Sequence, residues 1–405
     1  MTTTLTEVAP RVASSDLGHA PYPQTDRQAE MLELGARMGS IAAEQADAHD
    51  RDNSFPHDTF AALRESGYLA LTVPVEFGGP GASPLEVMLA QEELAKGSGA
   101  VALGVTMHLG AMGGVADSRT WPTALLERVF REVLEDGVLI NGLASEPELG
   151  SPSRGGGFRT TATAVDGGYV INGRKTWSTL SPALTYGNVL LTIVERDGTE
   201  SRGAILVPMA TEGVRIEETW DNLSMRATGS HDVVFENVFV AEDLRLPSPK
   251  GLPASQVSGW TLLGSAVYLG IAQAARDFAV EFAKTRVPAG LGKPIAALQN
   301  VQHRVAQMEL SLLQARSVLY SAAELWDKHP EARQDIGWQF AAAKYTVTNN
   351  AIDITDQALR VVGSVGLQRR FPLERYFRDV RAGLGNPPMD DVALTLIGKH
   401  ALGIS

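Results

Sequence analysis

Asp166-Gly-Gly-Tyr-Val-Ile-Asn-Gly-Arg-Lys-Thr-Trp177 sets a short apolar run between two turn signals. Asp-Gly and Asn-Gly supply the positive φ angles that tight turns need, so the stretch predicts hairpin chemistry. The same pattern continues downstream in Asn188-Val-Leu-Leu-Thr-Ile-Val194, Ala204-Ile-Leu-Val207 and Val233-Val-Phe235, with Asp197-Gly198 among the separators. These strands succeed one another without intervening helices. That predicts an antiparallel β domain over residues 138–250 and argues against βαβ units.

On both sides of this block the periodicity is helical. From Asp26, Met31, Leu32, Leu34, Met38 and Ile41 share one broad face. A second helix follows Pro56 and carries Phe60, Leu63 and Leu69. Ser83-Pro84 places an N-cap and a first-turn proline at the head of another helix. Helices run on to about Glu135, so residues 26–137 form an N-terminal helical domain. After Gly259 the stripe Val301, Val305, Met308, Leu312 and Ala315 predicts the core of a C-terminal four-helix bundle over residues 251–405. Residues 1–25 are rich in Thr, Ser, Ala and Pro, lack the pattern of a secretory signal and are expected to be a mobile tail. The fold class is therefore α+β: helical, β and helical thirds in that order.

Composition narrows the function classes. In 405 residues, 47 acidic side chains against 35 basic ones leave a formal net charge of −12. A nucleic-acid surface or an anionic membrane surface would call for a basic patch. The chain has no cysteine. Disulfides, thiolate nucleophiles, Fe–S clusters and cysteine zinc sites are excluded, and a cytoplasmic location is expected. No apolar run is read as long enough to span a bilayer. The histidines are scattered, with no i, i+4 pair, so no metal site is expected. No Walker motif is present, and no Gly-x-Gly-x-x-Gly follows a strand and opens a helix. Phe77-Gly-Gly-Pro-Gly81 lies between helices and reads as a tight connection.

Several segments together resemble the acyl-CoA dehydrogenase superfamily. Val73-Pro-Val-Glu-Phe-Gly-Gly79 is similar to a loop of the family's first domain, and Ser145-Glu-Pro-Glu-Leu-Gly-Ser151 to its Thr-Glu-Pro-x-x-Gly-Ser loop. Tyr169 to Trp177 resembles the hairpin that follows. Met225 to Asp232 with Phe235-Glu-Asn-Val238 resembles the end of its β domain. Arg286 to Gln302, Gly363 to Gly366 and Arg378-Asp379 resemble its C-terminal bundle. Each is weak alone, but their order is specific.

The resemblance implies FAD, a flat and partly polar ring that needs an apolar plane and edge donors. It implies that Trp177 packs on the ring and Thr179 donates near its reactive nitrogen. Leu143, Ala144, Ser145 and Ser151 would line the ring and the diphosphate. Arg286, Leu291, Gln299 and the Gly363-Ser364 loop fall where the family grips the ADP end, partly across a subunit interface, so a homotetramer is implied. Leu291 stands where an aromatic is usual, and Arg360 where Gln is frequent.

The family's reaction removes an α proton from a thioester, which requires a carboxylate within hydrogen-bond reach. Counting from Arg378-Asp379, the usual Glu position falls at Pro387. The alternative position, on the first C-terminal helix, is Trp260, with Thr261 where a CoA-contacting Arg is common. Both positions lack a base. Three readings follow. The base has moved, with Glu148, Asp390 and Asp391 as candidates. Or the chain is one of the superfamily's flavin monooxygenases, which bind reduced flavin and oxygen, take FMN, and often carry a His near the place of Asn386. Or it is a non-catalytic flavin- or thioester-binding scaffold. The expectation carried forward is an FAD-dependent oxidoreductase of an acyl thioester or similar apolar substrate, with hydride passing to flavin N5. A separate electron acceptor or flavin reductase would complete the cycle.

Overall fold

The computed structural model describes residues 22–148, 157–247 and 258–404. Ser151 lies outside the described residues. Thr25 caps helix α1 (Asp26–Asp52), its hydroxyl accepting the Gln28 N–H at 3.2 Å. Helix α2 (His57–Glu65) ends sooner than its apolar residues suggest. Gly67, at φ +75°, stops it, and Leu69 belongs to the short 3-10 turn Tyr68–Ala70 that follows. Helix α3 (Pro84–Gly97) opens with the expected Ser83 cap, which forms a reciprocal capping box with Glu86. Helices α4 (Gly99–Ser118) and α5 (Thr123–Glu135) complete the first layer.

The expectation about membrane-length runs needs correction at α4. Its 20 residues are long and apolar enough to cross a bilayer by length and composition. They are spent on packing instead: Val101, Ala102, Val105, Leu109 and Met112 are buried in the protein core. A helix buried on most sides reads like a membrane span because both are apolar nearly all round.

Strands β1 (Ile140–Leu143), β2 (Thr161–Val165), β3 (Gly168–Lys175), β4 (Tyr186–Val194), β5 (Glu200–Pro208), β6 (Val214–Glu217), β7 (Asp232–Ala241) and β8 (Arg245–Leu246) form one sheet. Its order is β6-β7-β3-β2-β4-β5-β8, with β1 also on β4. Two details differ from the antiparallel hairpin expectation. Strands β1 and β2 share one edge of β4, and both run parallel to it. The chain leaves β3 through a long connection, residues 176–185, and re-enters the sheet on the far side of β2, which a two-residue turn cannot do. Asn172-Gly173 is also not a turn. It sits inside β3 as a bulge, where the register with β7 shifts between Ile171 and Gly173. Gly173 has φ +144°, and a Cβ there would come within 2.6 Å of the Thr160 Cα. The real turn uses Gly167, at φ +78°, between β2 and β3.

The last layer contains α6 (Leu263–Thr285), α7 (Gln299–Lys328), α8 (Gly337–Val362), α9 (Leu373–Asp379) and α10 (Asp390–Leu402). Of the expected stripe on α7, Val301, Met308, Leu312 and Ala315 are buried, and Val305 is half-buried. Polar clasps join the layers. Tyr320 on α7 donates to the buried Glu92 of α3 at 2.6 Å. Arg378 grips Asp50 of α1 at 2.5 Å, and Asp379 accepts the Met225 N–H at 2.7 Å. The helical bundle is thereby bolted to both the first helix and the loop ahead of β7.

Candidate functional site

The ends of β1 and β3 lie side by side. The Thr176 N–H donates to the Ser145 carbonyl at 3.0 Å, and Asn141 Nδ2 donates to the Thr179 carbonyl at 2.9 Å. This brings Leu143, Ala144, Ser145, Trp177 and Thr179 into one place. Beneath them Lys175 Nζ meets Glu146 Oε1 at 2.7 Å, with 0 % and 3 % of the two side chains exposed. Glu146 also accepts the Arg159 and Thr160 N–H groups at 2.8 and 3.0 Å. Burial pushes the Glu146 carboxyl up, but Lys175 and those two backbone donors outweigh it and hold it below the usual carboxylate range. Neither residue was singled out by the sequence reading, although both stand inside quoted segments. An acid next to the candidate contact Ser145 and a lysine two residues before Trp177 are the signal that was available.

The backbone here is strained. Trp177 and Leu180 have φ +57° and +72°, conformations that bulky residues seldom adopt without a reason built into the fold. The Trp177 indole is 61 % exposed, and among the described residues its ring neighbour is Trp220, edge-on at 5.1 Å. Between the two strained residues, Thr179 Oγ1 lies 2.9 Å from Ser230 Oγ, which lies 2.7 Å from Thr228 Oγ1. Thr228 donates onward to the Met225 carbonyl at 2.9 Å, so a chain of hydroxyls ends at Thr179. An exposed apolar plane beside a hydroxyl donor is what a flavin ring requires.

A second group lies at the start of α7 and the end of α8. The Ile295 N–H donates to the Arg286 carbonyl, and Arg304 donates to Gln357 at 2.8 Å, which brings the two helix ends together. Arg286, Gln299, Arg360, Gly363 and Ser364 are exposed there, and Leu291 is half-buried. No hydrogen bond among the described residues joins this group to the first.

The candidate bases are dispersed and occupied. Glu148 is exposed and paired with Arg159. Asp390 lies 3.6 Å from Lys344 Nζ and accepts from Asn349 Nδ2 at 3.1 Å. Asp391 is exposed in the first turn of α10. Asn386 Nδ2 donates to the buried Tyr268 hydroxyl at 2.6 Å, and the Pro387 beside it carries no proton-transferring group. Trp260 lies flat against Gly113, where a Cβ would come within 2.2 Å of the indole, and its Nε1–H donates to Asp117 at 2.8 Å. Among the described residues, then, each named carboxylate candidate is committed elsewhere or exposed on a helix end.

Comparison with known proteins agrees with the architecture. Residues 25–117, 142–238 and 262–385 match the N-terminal, middle and C-terminal domains of acyl-CoA dehydrogenase. YdbM of Bacillus subtilis (strain 168), provisionally named an acyl-CoA dehydrogenase, is 41 % identical over 380 residues, covering 94 % of this chain and 98 % of YdbM. The amino sugar nitrososynthase RubN8 of Streptomyces rubradiris is 31 % identical, covering 93 % of this chain and 90 % of RubN8. The structure of KijD3 with FMN and a dTDP-linked amino keto sugar superposes with a TM-score of 0.83 at 28 % identity, covering 95 % of each chain.

Proposed function

The chain belongs to the acyl-CoA dehydrogenase family, and from that premise we propose a flavin-dependent monooxygenase that works without an α-proton base. The observation that carries this reading is the state of the two base positions. One is a proline, and the other is an indole locked between Gly113 and Asp117. Proton abstraction next to a thioester needs an ionisable group within reach, and neither position offers one. Oxygen transfer to a substrate does not need that step. Similarity to a nitrososynthase and to a protein solved with FMN supports the same reading.

The residues present fit a flavin. Trp177 offers the ring plane and Thr179 a hydroxyl at its edge. The exposed Arg286 and Arg360 offer guanidinium forks for phosphate oxygens. When bound, the flavin would supply two-electron redox chemistry and, in its reduced form, oxygen activation. The chain's own part is to hold the ring against the Trp177 plane and to donate a hydrogen bond from Thr179. The net reaction would consume one O2 and one reduced flavin per substrate, put one oxygen on the substrate and release the other as water. A separate reductase would supply the reduced flavin.

A second reading, acyl-thioester dehydrogenation with electrons passed to another acceptor, is favoured by the similarity to YdbM. Anaerobic mixing of the flavin-loaded protein with a panel of acyl-CoAs separates the two. No loss of flavin absorbance, with oxygen-dependent product formed from reduced flavin, supports the monooxygenase. Bleaching by an acyl-CoA refutes it. We also propose a homo-oligomer, because Leu394, Leu396 and Leu402 on the last helix and Ile404 just beyond it are exposed apolar side chains. Light scattering that shows a flavin-loaded monomer would contradict this.

A further inference from the structure

Trp177 is an exposed indole on a strained turn, and such a side chain needs something to hold it. Its main chain is secured: Ser178 N–H donates to the His231 carbonyl at 3.1 Å and Thr179 N–H to the Trp177 carbonyl at 2.9 Å. Its ring has the edge of Trp220, at 5.1 Å and 73° between planes. That edge-to-face arrangement is the favoured geometry for aromatic pairs.

Trp220 is itself held from three sides. Its N–H donates to His231 Nδ1 at 3.0 Å, its Nε1–H donates to the Met225 carbonyl at 3.1 Å, and its carbonyl accepts from Asn53 Nδ2. The loop that carries it is tied down further. Arg378 donates to the Leu223 carbonyl at 2.9 Å, Arg226 to the Asp50 carbonyl at 2.7 Å, and the Met225 N–H to Asp379 at 2.7 Å. Contacts from α1, α9 and His231, just ahead of β7, therefore converge on the main chain of the loop that carries this indole, and the indole, tied to that loop through Nε1, makes the ring contact with Trp177.

We propose that Trp220 is a positioning residue: it fixes the plane of the Trp177 indole before the flavin arrives, so the two rings act as one wall. The proposal rests on the reading of Trp177 as the flavin's contact. Its physical basis is preorganisation. A lone exposed Trp samples several rotamers and must be ordered when a ligand packs on it, whereas a braced one has already lost that freedom. Trp220 touches no reacting atom in this account. Its effect on the cofactor passes through Trp177.

The test uses full-length protein and titrations with FAD and with FMN, reading flavin fluorescence for affinity and visible circular dichroism for ring environment. Thermal unfolding serves as the control for folding. Trp220→Leu should weaken flavin binding by about threefold to tenfold, the scale of one aromatic pair, and should alter the visible dichroism at an unchanged melting temperature. Trp220→Phe keeps an aromatic edge and should restore both signals. The double variant Trp177→Leu/Trp220→Leu should bind no more weakly than Trp177→Leu alone, because the second change has nothing left to position. Should Trp220→Leu fail to fold, Trp220→Met replaces it. Wild-type affinity and dichroism in folded Trp220→Leu, or additive losses in the double variant, overturn the proposal alone. Unchanged flavin binding in Trp177→Leu overturns the cofactor wall and this proposal with it.

Discussion

Lys175, beside the proposed flavin contacts, and Lys344, on α8, are both buried lysines that face a carboxylate, and their surroundings differ. Lys175 Nζ bonds Glu146 at 2.7 Å, and Glu146 is completed by two backbone N–H groups. Lys344 Nζ lies 3.6 Å from Asp390 Oδ1, and neither of those two atoms makes a hydrogen bond. Burial pulls both ammonium groups below their ordinary range, against the pull of their carboxylates. The first pair clamps the strand ends that carry the proposed flavin contacts. The second joins α8 to Asp390, three residues beyond Pro387. The Lys175 pair is completed by hydrogen bonds, while the Lys344 pair, near a position 387 that carries no acid–base group, is a loose one. On the proposed monooxygenase reading the strand ends that face the flavin must be held, whereas the position of the family's base need not be.

That contrast can be broken experimentally. The largest expected effect is at the tight pair. Glu146→Leu leaves Lys175 buried without its carboxylate, with only the Ala144 carbonyl and the Phe158 ring near its ammonium, and breaking a buried pair this way costs about 3–5 kcal/mol. Urea unfolding should show the loss, together with weaker flavin binding. A loss below about 1 kcal/mol would mean that the clamp holds nothing.

Next in size is an acid effect. His108 is fully buried, with Nε2 donating to the Leu69 carbonyl and Nδ1 accepting the Ile140 N–H, so α4 is tied to β1 through a neutral ring. Burial pulls it down to about 4 against those two hydrogen bonds. A depressed histidine contributes stability that is complete above about pH 6.5 and lost as pH falls through about 4. The amount is about 3 kcal/mol, from the usual conversion of such a displacement. Melting temperature should fall between pH 6.5 and 4 in the wild type, and the slope should flatten in His108→Gln. An unchanged slope in that variant would assign the acid sensitivity elsewhere.

At the loose pair the effect should be small. Lys344→Met removes an ammonium that makes no hydrogen bond and fills the space with apolar atoms. Stability should change by no more than about 1 kcal/mol in either direction, since apolar replacement of a poor buried pair is often neutral. Unfolding that shows a loss above about 3 kcal/mol would place Lys344 in the same class as Lys175. Smallest of all is Pro387→Glu. On the monooxygenase reading, restoring a carboxylate there leaves acyl-CoA-driven flavin reduction at background. On the dehydrogenase reading it should rise by up to ~10²–10⁴-fold, the usual yield of a general base. Stopped-flow absorbance under anaerobic conditions decides between them.

Much of the architecture could be read along the chain because local rules set it. The Thr25 and Ser83 caps, the α7 stripe and the Asp166-Gly167 turn each depend on residues within a few positions of one another. Asn172-Gly173 shows where such rules fail. The dipeptide permits a turn, but pairing of β3 with β7 on one side and the approach of Thr160 on the other make it a bulge. Leu69 fails for the same kind of reason, since Gly67 ends α2 before the apolar pattern runs out.

By itself the sequence determined the helix, strand and helix order, the ordered segments that carry the family resemblance, and the absence of an ionisable side chain at 387 and 260. These are matters of composition, period and local turn chemistry, which act over a few residues. Only the tertiary structure decided that β1 and β2 run parallel along one edge of β4, and that Glu146 reaches Lys175 from 29 positions away. It also decided that Asp390 is tied up with Lys344, and that Trp220, 43 positions beyond Trp177, meets it edge-on. Those contacts come from how packed layers close on one another, and no spacing along the chain encodes them.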